Sequence, residues 1–376
     1  MTSVKILHCA DLHIGAAESF LGTLAGRRRF ETLLTFEKII DLAVAENVSV
    51  VAVAGDLFDS NAVEDELVRP VLEKIAAVPQ IRVVYAAGNH DPLTPDSPVK
   101  RFPLPENLFV LDAEDTCLTF EDISLKVYGR SFDSAAMKGE GSFPLAPDND
   151  GYVHLMVLHG DFGGETDSPY NAVSREFVRT SGMDYLALGH VHTCTPIEKA
   201  GSTSFAYCGC PEGQGFDETG EKGVYLGSIA QGICDLRFVP VSRRLHLRRS
   251  VDISGLSSSA AVSDRVLAAL REEREDFAEH LYKIRLIGEI PPTFTPDLDE
   301  ITARLSGAVY YLSMQDETSL AVDADRLCEE VSLKGLFVKN LMEAMRTAPP
   351  DQKPLYSAAL KLGLAAFGSE VAYHED

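Results

Sequence analysis

Seven side chains of the kinds that hold divalent cations stand at the ends of short apolar runs: Asp11, His13, Asp56, Asn89, His159, His190 and His192. A mixture of carboxylate, amide oxygen and imidazole suits Mn²⁺, Fe or Zn²⁺ better than Ca²⁺ or a thiolate zinc site. The set is too large for one open catalytic ion and suits two. Paired ions roughly 3.5–4 Å apart stabilise both the attacking and the leaving oxygens of an in-line displacement at phosphorus. Asp56, with two carboxylate oxygens, can bridge such a pair. His90 directly follows the ligand Asn89 and is placed to contact phosphate as an acid, with Asp59 as its orienting partner. The expected cofactors are therefore two divalent ions, Mn²⁺ first with Fe and Zn²⁺ as alternatives, and the expected catalytic pair is His90 and Asp59.

The elements that must position these groups are strands. Val4–Ala10 precedes Asp11-Leu12-His13, Val48–Ala54 precedes Gly55-Asp56, and Ile81–Ala87 precedes Gly88-Asn89-His90-Asp91. A spacing of two puts Asp11 and His13 on one side of an extended chain. Gly55 allows the tight turn that exposes Asp56. An amphipathic helix from Arg27 to Glu46 and another from Val63 to Ala77 separate these strands, which predicts a βαβαβ half-sheet. Ligands at strand ends are the usual arrangement in α/β sheets. Loops and short antiparallel strands, Ser124–Tyr128 among them, are expected between Pro92 and Asp150. Tyr152–Leu158 then ends at His159-Gly160, and Asp184–Leu188 ends at Gly189-His190-Val191-His192. His8 and His154 lie inside strands and are read as structural. Arg27-Arg28-Arg29 is read as a solvated charge run.

The chain has 376 residues, a formal net charge of −23 and seven cysteines without a disulfide framework. This length predicts two or three domains. The cysteines, Cys208 and Cys210 included, are read as ordinary reduced thiols of a cytoplasmic protein. No apolar run approaches the length of a membrane span and the first residues lack a signal-peptide layout, so no membrane association is expected. The negative charge argues against a nucleic-acid-binding module that lacks chemistry. The complete ligand set argues against a scaffold with a dead site.

The ordered set DLH, GDLFD, GNHD, HG and GHVH resembles the calcineurin-like metallophosphoesterase superfamily. The stretch from Tyr207 to Glu218 with Glu221-Lys222-Gly223 is similar to a narrower group, the SbcD-like and YhaO-like DNA double-strand-break repair exonucleases. The resemblance covers residues 1–250 strongly. It implies an α/β protein with a four-layer α/β/β/α sandwich, a smaller α/β capping module at 251–320 and C-terminal helices at 321–376. It implies one ion held by Asp11, His13, Asp56 and His192, and a second held by Asp56, Asn89, His159 and His190. The implied reaction is DNA phosphodiester hydrolysis by a metal-bound hydroxide, with His90 as the catalytic histidine. A small-molecule or cyclic-nucleotide phosphoesterase on the same fold is the alternative, because fold does not set substrate.

Beyond Val241 the chain changes character. Arg243–Arg249 alternates basic and apolar residues, a strand whose arginines face either solvent or a phosphate backbone. Ser257–Ala261 reads as a linker. Helices at Asp264–Phe277 and Asp297–Leu305 and strands at Tyr282–Ile287 and Ala308–Met314 predict the capping module. Apolar residues at Leu327, Val331, Val338, Met342 and Met345 predict a helix over Asp325–Met345 that Gly335 bends. A second helix over Leu355–Phe367 carries Leu360, Leu364 and Phe367. The two helices either pack on their own module or, as the resemblance implies, dock an SbcC-like coiled-coil ATPase. The expected substrate is DNA, and a homodimer is left open.

Overall fold

The computed structural model describes residues 2–112, 116–138, 146, 150–164, 167–321 and 324–367. The chain forms two compact units, Met1–Leu245 and His246–Asp376. Parts of the expected loop region between Pro92 and Asp150, and of the C-terminal segment, lie outside the described residues.

In the first unit the alternation of β-branched runs and amphipathic stretches yields β1 (Ser3–Cys9), α1 (Ala25–Ala45), β2 (Val50–Ala54), α2 (Asp65–Ala76), β3 (Arg82–Ala86) and β4 (Leu108–Val110). It continues through β5 (Cys117–Phe120), β6 (Leu125–Arg130), β7 (Val153–His159), α3 (Arg175–Thr180), β8 (Tyr185–Gly189), β9 (Glu198–Ala200), β10 (Thr203–Tyr207), β11 (Gly223–Ala230) and β12 (Ile233–Pro240). Two six-stranded sheets result, ordered β12-β11-β1-β2-β3-β4 and β5-β6-β7-β8-β10-β9. Strands β1 to β4 run parallel, as do β6, β7, β8 and β10.

Both sheets are apolar on both faces, so each must be covered twice. Val4, Ile6, Val50, Ala52 and Val84 meet Val127, Leu155, Val157, Tyr185 and Ala187 in a core between the sheets. On the outer side of the first sheet, Leu7, Val51, Val53 and Val83 pack against Phe36, Ile39 and Ile40 of α1 and Val68 and Val71 of α2. On the outer side of the second, Met156, Leu158, Leu186 and Phe205 pack against Val178 of α3. The layers therefore run α/β/β/α. His8 belongs to the inner core, bonded to the Tyr185 hydroxyl at 2.9 Å and near the Leu188 carbonyl at 3.2 Å. His154 is buried against Tyr128 and Asp150, also a structural role.

The arginine run at the start of α1 is not a solvated face. Arg28 is 1% exposed and donates to Glu18 at 2.7 Å, to Glu212 at 2.8 Å and to the Gly213 carbonyl. Burial acts against its charge, but Glu212 and Glu18 more than compensate and hold its pKa above the ordinary value. A buried guanidinium is stable only with this degree of pairing. Arg244, also buried, donates two bonds of 2.6 Å to Glu31. These contacts tie α1 to the segments around Glu212 and Arg244.

The second unit contains β13 (His246–Asp252), α4 (Ser259–Glu273), β14 (Leu281–Ile287), β15 (Glu289–Ile290), α5 (Leu298–Leu305), β16 (Tyr311–Asp316) and β17 (Ser319–Leu320). It ends in α6 (Ala324–Glu329), α7 (Leu333–Thr347) and α8 (Lys353–Ala366). Strands β13, β14 and β16 make a parallel three-stranded sheet. Because β13 pairs with β14 over its whole length, the division between units falls before His246. Ser257–Ala261 is not a free linker: the Ser258 hydroxyl accepts from the Ala261 N–H and caps α4. The single helix expected over Asp325–Met345 is two. Ser332 caps α7 through the Gly335 N–H, and a side chain at Gly335 would strike the Glu330 carbonyl. The glycine thus permits a close crossing between α6 and α7 instead of a bend within one helix.

Candidate metal centre

The parallel register brings β1, β2 and β3 to an end side by side, Cys9 beside Val53 and Ala54 beside Ala86. In the facing sheet β7 and β8 end together, His159 beside Gly189. The two sets of strand ends meet closely. A Cβ on Gly189 would lie 1.8 Å from the Ala54 carbonyl oxygen, and one on Gly55 would lie 2.2 Å from His159 Nδ1. Glycine is required at both places, and Gly55 also has φ 88°.

Asp11 and His13 do share one side of the chain, but not by strand alternation. Both adopt left-handed backbone, φ 52° and 45°, and Asp56 does the same at 49°. Such conformations are uncommon outside glycine and cluster at functional sites. They are held by Asp11 N–H to the Gly55 carbonyl at 3.0 Å and His13 N–H to the Asp56 carbonyl at 2.9 Å. The loop after β2 is fixed to the loop after β3 by buried Asp91, which accepts from the Phe58 N–H and the Gly88 N–H at 2.9 Å each. The residue types around Gly88 signalled ligands, and the clamp role of Asp91 was not legible among them.

The donors fall into two adjoining groups. His13 Nε2 and His192 Nε2 face each other at 3.1 Å, with a carboxylate oxygen of Asp11 within 4.8 Å of both rings' donors. Beside them, His159 Nε2 lies 2.9 Å from Asn89 Oδ1 and 3.3 Å from Asp56 Oδ2. Asp56 Oδ2 is also 3.7 Å from His13 Nε2, so a single oxygen looks toward both groups. The other oxygen, Oδ1, accepts from the His90 N–H at 2.9 Å. One carboxylate oxygen of Asp56 is thus engaged by the backbone, while the other faces both donor groups. The His190 backbone N–H donates to the Asp11 carboxylate at 3.0 Å, and its ring stands between His159 and Tyr170, with centroids 5.2 and 4.6 Å away.

The ring orientations are set from outside the cluster. His159 Nδ1 donates to the Ala54 carbonyl at 3.0 Å, which leaves Nε2 as the free donor atom. His192 Nδ1 donates to Glu218 Oε1 at 2.6 Å with the same result. Glu218 also accepts from the Gln214 N–H, while Lys222 Nζ and the Cys210 N–H both donate to the His192 carbonyl. Glu218 stands 26 residues after His192, and no local pattern marks it as a partner. The segment from Cys208 to Lys222 is thus a cradle for one ligand, itself anchored to α1 through Glu212 and Arg28.

His90 sits at the rim. It is exposed, its Nδ1 lies 3.0 Å from the Asp59 carbonyl, and its ring meets His13 edge-on at 4.7 Å. Asp59 orients His90 through its backbone, whereas its carboxylate lies 3.4 Å from His13 Nδ1. The contact between Asp59 and His90 is therefore made by the Asp59 carbonyl.

The crowded carboxylates and imidazoles shift one another's protonation. Burial raises the Asp11 carboxyl above its ordinary value against the pull of His159 and His192. Burial acts the same way on Asp56, but the adjoining His159 holds it well below the carboxylate range. His159 is pushed up to about 9: burial would lower it, and Asp56 prevails. His190 is lowered to about 4 by burial and by the neighbouring His159. Two buried carboxylates, an amide oxygen and imidazoles with Nε2 turned inward fit divalent cations by geometry and by donor chemistry.

Comparison with known proteins agrees. Uncharacterized metallophosphoesterase YhaO of Bacillus subtilis is 27% identical over 342 residues, covering 85% of this chain and 83% of that protein. DNA double-strand break repair protein Mre11 of Aeropyrum pernix is 27% identical over 320 residues, covering 76% and 74%. A subunit of the nuclease SbcCD of Rhodobacter capsulatus is 33% identical over a shorter stretch of 93 residues, 24% of this chain and 22% of that one. Residues 4–194, half of the chain and the part that carries all seven donors, match the calcineurin-like phosphoesterase family, so the chain belongs to that family and is a metal-dependent hydrolase.

Proposed function

We propose that this protein is a two-metal phosphodiesterase acting on DNA, the exonuclease component of a double-strand-break repair machine in the cytoplasm. The observation that carries the reading is the pair of adjoining donor groups that share Asp56 Oδ2, with the exposed imidazole of His90 beside them. Asp11, His13, Asp56 and His192 would hold one ion; Asp56, Asn89, His159 and His190 would hold the other. Two such ions, when bound, activate water and offset charge on the phosphoryl oxygens, and Mn²⁺ is the best match to these donors. The chain's own contribution is positional. Left-handed turns at Asp11, His13 and Asp56 aim the donors inward, and Ala54 and Glu218 lock two imidazoles with Nε2 free. His90, steadied by the Asp59 carbonyl, is placed to donate a proton or hydrogen bond to the phosphate.

The relatives named as DNA-repair proteins and as part of a nuclease support a nucleic-acid substrate over a small phosphoester. The relative named as one subunit of a nuclease supports a partner subunit for this chain, which we take to be a coiled-coil ATPase docked on the C-terminal helices, with residues 251–320 as a capping module. Among the described residues no helix is long and apolar enough to cross a membrane. The deciding experiment incubates an end-labelled linear duplex with the chain and Mn²⁺, beside p-nitrophenyl phosphate. Release of labelled nucleotide is expected. Turnover of the small ester with an intact duplex would replace this reading with a small-molecule phosphoesterase.

A further inference from the structure

Helix α1 carries a buried polar stripe beside its apolar one. Arg28, Glu31 and Thr35 follow one another at helical spacing, so they share a face, and all three are buried. That face meets the segment around Glu212. Nη2 of Arg28 donates to Glu212 Oε2 at 2.8 Å and to the Gly213 carbonyl at 3.0 Å, while Nε donates to Glu18 at 2.7 Å. Glu212 Oε1 in turn accepts from the Thr35 hydroxyl at 2.6 Å and from the Arg243 N–H. One guanidinium nitrogen thus grips two successive residues, the first by its side chain and the second by its backbone. Next along the chain, the Gln214 N–H donates to Glu218 Oε2 at 2.9 Å, and the other oxygen of Glu218 accepts from His192 Nδ1 at 2.6 Å. The Gly213 carbonyl and the Gln214 N–H belong to the same peptide group.

A peptide group is planar, so a bond that fixes its carbonyl also fixes the direction of its N–H. Here Arg28 holds the carbonyl and Glu218 takes the N–H. Hydrogen bonds in series polarise one another, so a cationic donor on the carbonyl makes the N–H a stronger donor. Replacing buried ion pairs by well-packed apolar residues is often neutral or stabilising, so anchorage alone does not account for a guanidinium at this place. An apolar stripe could hold α1 against the loop, but it could not aim a peptide N–H. We propose that Arg28 is a positioning residue for the metal centre: through the Gly213–Gln214 peptide it aims Glu218, and through Glu218 it sets the strength of His192 as a ligand. The proposal rests on the assignment of His192 to one of the two ions, and it extends control of that ion to a side chain on α1. Lysine, a compact charge on a flexible stem, cannot reproduce the planar grip.

The test is a double-mutant cycle on the full chain, with Mn²⁺ affinity at each of the two sites followed by electron paramagnetic resonance. Arg28→Lys should weaken the site that contains His192 by about 10-fold, the low end of the range for groups behind a ligand, and leave the other site near normal. Combined with Glu218→Ala it should weaken nothing further, because the relay ends at the missing carboxylate. Thr35→Val removes one bond to Glu212 and keeps the side-chain shape. It should give a smaller loss at the same site, again absent beside Glu218→Ala, and it decides the matter if Arg28→Lys does not fold. A merely structural Arg28 would lower the melting temperature with both affinities kept, or lower both affinities alike, and either result overturns the proposal. So does a loss in Arg28→Lys that adds in full to that of Glu218→Ala. If Glu218→Ala weakens one site and a folded Arg28→Lys does not, the relay alone falls. If Glu218→Ala leaves both sites unchanged, the His192 assignment falls and takes the relay with it.

Discussion

Glu218 Oε1 lies 2.6 Å from Nδ1 of His192, and on the far side of that ring Nε2 faces His13 Nε2 at 3.1 Å. A carboxylate behind a metal-binding imidazole fixes its tautomer and strengthens it as a ligand. Burial would lower the His192 pKa, and the Glu218 contact more than offsets this, while Glu218 itself is lowered to about 2. Glu218→Ala should therefore weaken Mn²⁺ binding in one of the two sites by about 10–100-fold and leave the other near normal. Titration followed by electron paramagnetic resonance would resolve the two. Glu218→Gln, which keeps an acceptor oxygen, should recover part of the loss. Two unchanged affinities in Glu218→Ala would remove the positioning role.

Asp56 Oδ2 looks toward both donor groups, so its loss should be felt twice. Asp56→Ala is expected to lose both ions together, whereas Asn89→Ala should weaken chiefly the site that contains His159. Metal content after chelation and Mn²⁺ resupply, measured by elemental analysis, checks this. A fully active Asp56→Ala would defeat the dinuclear assignment.

His90 is exposed and held at Nδ1 by the Asp59 carbonyl, which suits a group that meets substrate. His90→Ala should retain near-normal metal content and lose about 10²–10⁴-fold in rate, the usual contribution of a general acid. Because Asp59 acts on His90 through its backbone, Asp59→Ala should affect the rate much less than His90→Ala. An empty site in His90→Ala would make His90 a ligand.

How much of this was legible before folding depends on how local each signal was. Five strand-end blocks announced the donors because a strand, a turn and a ligand are adjacent in sequence, and the alternating helices announced the parallel sheet. What brings Asp11 and His13 together is a pair of left-handed residues that propensity does not foresee. Arg28 looked like part of a surface charge run because its partners Glu18 and Glu212 are unremarkable by themselves. Glu218 was invisible for the same reason: its significance arises only when the chain returns to His192. In the second unit, serines at 257–259 looked like a linker, yet Ser258 is a helix cap.

The metal-free protein should lose stability as the solution becomes alkaline. The His159 pKa rises from its ordinary 6.5 to about 9 in the folded chain because Asp56 outweighs the effect of burial. Protonated His159 thus stabilises the fold fully below pH 6.5, and this is lost as pH rises through about 9. His190, lowered to about 4 by burial and by His159, has the opposite sign, costing stability as pH falls from 6.5 toward 4. Melting temperature in EDTA should therefore fall between pH 6.5 and 9. Mn²⁺ must displace the His159 proton, so its affinity should increase over the same interval. A flat melting profile in EDTA across this window would show that His159 is not charged there.

The C-terminal helices divide their apolar residues between two tasks. Val338 of α7 and Leu360 and Leu364 of α8 are buried against one another, with Phe337, Leu341 and Met342 beside them, so the stripe expected to dock a partner is partly used internally. Leu333 and Leu336 of α7 and Leu355 and Leu362 of α8 remain outside, at 74%, 55%, 70% and 66% exposure. Exposed leucines in this number on two adjoining helices mark an interaction surface better than they mark a free one. If α7 and α8 dock a coiled-coil ATPase, Leu336→Glu with Leu362→Glu should abolish co-purification of the two proteins. Melting temperature and Mn²⁺-dependent hydrolysis of a small diester should stay at wild-type values, because neither side chain supports the core. Val338→Asp should instead unfold the helical pair, since it buries an unpaired charge. An ATPase that still co-purifies with the double leucine variant would place docking elsewhere and leave these helices a purely structural role.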